Sequence, residues 1–200
     1  MRLLSDEVYV RADKDKKKKR MLGDTGKEIY IETLYQSYST ENACHDGEVV
    51  YVPAKLSNGA PVELEPGDHV YGSHNLTAED HEDHLTGDML YRVSYRDSLY
   101  CKVSPEGEIH MLSDWNLIEP IFEPEENLYS KVVPDLQVKT ELDKIEHIGV
   151  ARHLSVGMKE LGVKEGDTIC FTKNSDYEMY VEGTLYYRMR DRDIAGIRVE

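Results

Sequence analysis

Leu64–Tyr71 reads LEPGDHVY and Val163–Cys170 reads VKEGDTIC, so a polar lead, a Gly-Asp pair and an apolar triplet occur twice in one chain. The Gly-Asp pair is a turn signal. Gly67 and Gly166 can take positive φ, and Asp68 and Asp167 can hydrogen-bond the nearby backbone. Val70-Tyr71 and Ile169-Cys170-Phe171 then supply β-forming residues for a strand start. A second block follows each copy: LYRVSYRDSLYCKV from Leu90 to Val103, and YYRMRDRDIAGIRV from Tyr186 to Val199. Its first part alternates apolar and polar residues, as a strand with one buried face does, and Arg-Asp-Ser or Asp-Arg-Asp then turns the chain into a last strand. Short strands separated by turns, with almost no stripe of period 3.6, predict an all-β fold of small barrels or sandwiches.

The repeat also sets the number of domains. Two hundred residues suit one domain or two, and the duplication decides for two, residues 1–112 and 113–200. With 39 acidic against 24 basic residues the net charge is -15, which argues against nucleic acid or an anionic membrane as main partner. The first ten residues, MRLLSDEVYV, hold too short an apolar run for a secretory signal, and no segment approaches membrane-span length. A cytoplasmic protein is expected. Three cysteines, Cys44, Cys101 and Cys170, lack metal-ligand spacing and read as small hydrophobes in a reducing compartment. Fourteen tyrosines against two phenylalanines suit half-wet strand faces or contacts between subunits.

Along the first repeat, Leu3 to Val10 (LLSDEVYV) is a strand candidate. Arg11 to Gly26 is charged, contains the unbroken basic run Lys16 to Arg20, and cannot bury enough apolar surface to order itself, so it predicts a mobile loop with the run as its solvated tip. Ile29 to Tyr35 (IYIETLY) is apolar again, Ser37 to Asp46 is loop-like, and Gly47 to Pro53 (GEVVYVP) is a strong strand. Asn58-Gly59 between alternating residues predicts a hairpin. The second repeat runs WNLIEPIFEP, a PEENLYS connection, KVVPDLQV, then IGVARHL in the place of GEVVYVP, with shorter connections at both the basic loop and the hairpin.

This order of parts resembles the co-chaperonin family of GroES type over nearly the whole chain. The pieces that carry the resemblance are LLSDEVYV, GEVVYVP, LSNGAPVELEPGDHVYG and LYRVSYRDSLYCKV in the first half, and NLIEPIFEP, KVVPDL, GVKEGDTICF and YYRMRDRDIAGI in the second. The resemblance implies two tandem GroES-like small β-barrels, the first with a long mobile loop and a roof hairpin at Asn58 and Gly59. It implies no catalysis and no cofactor. The implied partner is an ATP-bound chaperonin ring, engaged by a homo-oligomeric ring of this chain through an apolar tripeptide, with no nucleic acid and no membrane involved. On this sequence the tripeptide falls at Ile29, Tyr30 and Ile31, with Met21 and Leu22 as a lesser patch. The same three residues also read as a plain strand with Ile29 and Ile31 facing a core. Family loops carry Gly-Gly ahead of the tripeptide, whereas this chain has Gly26-Lys27-Glu28, and the second repeat lacks both tripeptide and hairpin. A structural or assembly protein of the same fold, for example in a bacteriophage particle, is the alternative, because fold alone does not assign function.

The histidines raise an enzyme reading. His69, His74, His81 and His84 lie near Asp80, Glu82 and Asp83, a set that could hold a divalent metal. The stretch AEDHEDHLTGD is polar and gives no sign of a rigid supporting shell, so it reads as solvated and not as a metal site. No phosphate-binding glycine loop, nucleophile elbow or Cys/His nucleophile pair is present, and the chain is not expected to be an enzyme.

Overall fold

The computed structural model describes residues 3, 6–12, 19–21, 28–30, 44–73, 75–83, 88–122 and 144–198. The chain divides into two compact units, Met1–Ser113 with Glu178–Thr184, and Asp114–Tyr177 with Leu185–Glu200.

The first unit contains β1 (Glu7–Arg11), β2 (Lys19–Met21), β3 (Glu28–Tyr30), β4 (Cys44–Tyr51), β5 (His69–Ser73), β6 (Glu82–Asp83), β7 (Leu90–Ser94), β8 (Leu99–Val103) and β9 (Ile109–Met111). Seven of these make one antiparallel sheet in the order β6-β7-β1-β4-β5-β8-β9, while β2 and β3 pair with each other apart from it. Alternation works as expected in β1: Val8 and Val10 enter the core with Val49, Val70, Tyr91, Val93 and Leu99. Tyr9 turns the other way, donating its hydroxyl to Asp83 Oδ2 at 3.0 Å and setting its ring edge-on to Tyr51. Each fully buried valine or leucine contributes about 1.5–3 kcal/mol of transfer free energy, which is what fixes the register of this sheet. A four-residue helix, α1 (Tyr95–Ser98), forms the corner between β7 and β8, with the Ser94 hydroxyl accepting from the Asp97 amide.

The rest of the chain follows as β10 (Trp115–Phe122), β11 (Lys144–His153), α2 (Val156–Glu160), β12 (Thr168–Phe171), β13 (Tyr177–Val181), β14 (Thr184–Arg190) and β15 (Ile194–Ile197), with Glu178–Thr184 at the β13–β14 hairpin grouped with the first unit. Their sheet order is β13-β14-β10-β11-β12-β15. Its core gathers Ile118, Ala151, Leu154, Ile169, Phe171, Tyr187 and Met189.

The duplication read from the sequence therefore recurs in the ladders. The run β7-β1-β4-β5-β8 is repeated as β14-β10-β11-β12-β15. The two Gly-Asp signals fold alike. Glu65–Asp68 and Lys164–Asp167 close through an amide-to-carbonyl bond of 3.1 Å, with Gly67 at φ 97° and Gly166 at φ 94°. Those angles at the third residue are what a type II turn needs and glycine supplies without strain. Asp68 and Asp167 each accept the amide of the turn's first residue on Oδ2, at 2.8 Å. The turns are then tied to the neighbouring strand by equivalent bonds, Gly67 to Val49 and Gly166 to Ala151, both 2.8 Å. Both units are small β-barrels of one type.

Several elements differ from the sequence reading. Within Leu3–Val10, β1 covers Glu7 onward and Leu3 makes a parallel bridge to Pro53, while Leu4 and Ser5 lie outside the described residues. β4 begins at Cys44, inside the stretch read as loop, and β2 lies inside the charged segment read as loop. Between β5 and β7 the polar histidine-rich stretch holds a 3-10 turn, Glu79–His81, and the two-residue β6. KVVPDLQV and PEENLYS lie outside the described residues. Among the described residues the longest helix is α2, five residues, and no helix is long and apolar enough to cross a membrane.

Candidate partner-binding site

The site predicted on Ile29, Tyr30 and Ile31 belongs to the connection between β1 and β4, which are neighbours in the sheet. The departure point is tight. A Cβ on Gly47 would sit 2.5 Å from Val10 Cγ1 and 2.8 Å from the Arg11 carbonyl oxygen, so only glycine lets β4 pass β1 where the connection leaves. Gly149 repeats the arrangement in the second unit, 2.6 Å from Ile118 Cγ2 and 2.8 Å from the Glu119 carbonyl oxygen. Beyond Ala12, Ile29 and Tyr30 lie in β3, paired antiparallel with β2 so that Lys19 faces Tyr30, Arg20 faces Ile29 and Met21 faces Glu28. The structure thus brings Met21, Ile29 and Tyr30 into one two-stranded ribbon that is no part of either main sheet. Ile31 and Leu22 lie outside the described residues.

The other predicted feature, Asn58-Gly59, is a turn of a different kind from the two-residue hairpin that the sequence suggests. Gly59 N donates to Leu56 O at 2.8 Å and Leu56 N to Ala60 O at 3.0 Å, with Gly59 at φ 82° and Asn58 at negative φ. That is a type I turn closed by a left-handed glycine, the three-residue form. The Asn58 side chain accepts the Ala60 amide at 3.0 Å. Among the described residues no ladder flanks the turn, and Pro53 and Pro61 on either side, which lack amide donors, are the physical reason.

What holds this connection is a set of anchors. Leu56 and Leu64 are 4% and 2% exposed and join the core of the unit. Asp6 takes the Ser57 hydroxyl on Oδ2 at 2.6 Å and the Ser57 amide on Oδ1. Those two bonds, the hydroxyl first, hold the Asp6 carboxyl below its ordinary value. The Asp6 carbonyl meanwhile accepts the Tyr95 amide at 2.9 Å, and the Tyr95 hydroxyl donates to Glu63 Oε2 at 2.7 Å. Burial, then the Glu63 bond, push the Tyr95 phenol well up from its ordinary 10.0. Asp6 was not singled out by sequence reasoning, although a signal existed: Leu4-Ser5-Asp6 recurs as Leu112-Ser113-Asp114. Asp114 holds the matching place, its carbonyl accepting the Asp191 amide at 2.9 Å and its carboxylate the Arg190 guanidinium at 2.8 Å.

Of the histidines, His69 approaches Asp46 Oδ2 at 3.5 Å and lies edge-on to Tyr71, and His81 sits in the 3-10 turn before β6. His74 and His84 lie outside the described residues, and among those described no group of three ligating side chains could hold a metal ion. Cys101 is buried, and burial pushes its thiol up to about 12, so it packs as a hydrophobe.

Fold and anchors define a protein of two like β-barrels whose first unit extends a paired ribbon and a pinned polar turn. No family model matches the chain. Over 88 residues it is 40% identical to the Co-chaperonin GroES of Listeria welshimeri, a stretch that is 43% of this chain and 94% of that protein. The Co-chaperonin GroES of Coprothermobacter proteolyticus is 33% identical over 92 residues, 45% of this chain and 94% of its own length. That of Aquifex aeolicus is 31% identical over 93 residues, 45% of this chain and 76% of its own length. The chain belongs to the GroES-type co-chaperonin family.

Proposed function

We propose that this chain is a co-chaperonin-like protein that caps a chaperonin ring in its ATP-bound state, using the connection between β1 and β4 as the tether and Ile29, Tyr30 and Ile31 as the docking residues. The observation that carries the reading is the 40% identity across 94% of a GroES co-chaperonin. The place of Ile29 and Tyr30 in a ribbon separate from the sheet that buries Val8 and Val10 supports it. Such a device works by binding and not by chemistry. Ordering a tether on docking offsets part of the gain from burying three apolar side chains, so each contact stays weak and reversible. Several copies on one ring make the later contacts intramolecular, and a marginal tether becomes a tight lid. A cytoplasmic location and an oligomeric ring belong to the same proposal, as does the absence of nucleic-acid or membrane binding, in keeping with the charge of -15.

The test is to mix the purified chain with a chaperonin and ATP. A co-migrating complex and altered ATP turnover are expected, and the double variant Ile29→Ser, Ile31→Ser should lose both while keeping its circular dichroism. If the intact chain neither co-migrates nor changes turnover at micromolar concentration, the capping reading is wrong.

A further inference from the structure

We propose that Arg20 decides which partner the β2–β3 ribbon accepts, and that this partner is an apolar groove rimmed by carboxylates. The proposal rests on the docking reading above and adds the chemistry of the surface that is docked on. Lys16 to Arg20 is the unbroken basic run of the chain, opposite in sign to the chain as a whole at -15. The end of that run is paired backbone. Lys19 and Arg20 stand in β2, in register with Tyr30 and Ile29 of β3.

The register sorts the charges. Successive strand residues alternate between faces, so Arg20 and Ile29 share one face of the ribbon, while Lys19, Met21, Glu28 and Tyr30 share the other. The second face sets Lys19 against Glu28. The first has a cation and no acid. Residues directly opposite in an antiparallel pair hold their Cβ atoms about 4.5–5.5 Å apart, so a groove that takes Ile29 also takes the surroundings of a guanidinium. Removing water from that charge is costly unless a fixed carboxylate meets it, and a planar guanidinium meets a carboxylate through two parallel hydrogen bonds. A groove with a basic or wholly apolar rim is rejected at this point, and one with an acidic rim is selected. An acidic partner repels the body of the chain, so the cations of β2 give the docking segment the sign that the body lacks.

The two effects respond to salt in opposite directions, which is the basis of the test. The intact chain is titrated into a purified bacterial chaperonin with ATP at about 0.05 M and about 0.5 M sodium chloride. The parent chain should bind more weakly at the higher salt. Arg20→Glu should lower the affinity about tenfold at the lower salt, because each exposed ion pair changes binding a few fold and several copies on one ring multiply it. Its salt dependence should also reverse, since only repulsion is then left to screen. Arg20→Lys should keep most of the affinity, and Lys19→Glu, on the face that already holds Glu28, should cost less than Arg20→Glu. The ribbon is apart from both main sheets, so each variant should keep the parent's circular dichroism. A parent chain that binds more tightly at the higher salt, or an Arg20→Glu variant of parental affinity, would overturn the proposal and leave capping in place. Retention of the parent on double-stranded DNA, lost in Arg20→Glu with chaperonin affinity unchanged, would overturn it in favour of a nucleic-acid contact. No binding by the parent at either salt would remove both readings.

Discussion

A methyl group added at position 47 has nowhere to go. Its nearest neighbours are a β-branched side chain at 2.5 Å and a backbone carbonyl at 2.8 Å, and the carbonyl cannot yield without moving β1. Gly47→Ala and Gly149→Ala should each destabilise their unit by about 1–3 kcal/mol, the usual range for forced overpacking. Gly196→Ala, in open space, should be close to neutral. Chemical denaturation of the three variants checks this, and a neutral Gly47→Ala would show that the strands part more readily than the geometry implies. At this scale much was legible from residues alone. Gly67 and Gly166 announce type II turns because the chemistry of such a turn is local to four residues. Asp6 was not legible, because its partners, Ser57 and Tyr95, are brought to it by the fold and not by nearness in the chain.

Among the elements, the connection from β4 to β5 shows how a turn becomes a fixed feature without a ladder. Its apolar anchors are Leu56 and Leu64, and its polar anchor is the Asp6 carboxylate on Ser57. Because this carboxyl is held below its ordinary value of 3.8, its contribution is complete above 3.8 and falls away as pH drops through the lowered value. Hydrogen exchange at the Ser57 amide should therefore speed up below about pH 3.8 relative to the intrinsic acid trend, and Asp6→Asn should show the faster exchange already at neutral pH. Equal exchange in the parent chain and the variant at pH 7 would count against the anchor. The elements missed in the sequence share one property: their strength comes from outside themselves. β9 is three residues long with no alternation to read, and it exists because β8 pairs with it. α2 is too short for a helical period, although its caps were present as a signal. The Ser155 hydroxyl accepts the Met158 amide at 3.0 Å, and Gly162 at φ 89° closes the other end.

For the whole molecule the decisive quantity is the charge of -15 carried by each copy. In the ring proposed above, copies of one sign of charge repel one another, and added salt screens the repulsion, with a Debye length of about 10 Å at 0.1 M falling to about 3 Å at 1 M. Sedimentation should therefore show larger species at 0.5 M than at 0.05 M sodium chloride, on the order of a tenfold change in ionic strength. Dissociation by salt would identify the contacts as ion pairs instead.

The connection that in the first unit is the polar turn Ser57-Asn58-Gly59 is, in the second, α2 and its end, where Val156 is 61% and Leu161 75% exposed. Duplication has left two unlike crowns on one kind of wall. The first crown meets another surface through hydrogen bonds, whereas the second presents two apolar side chains to it.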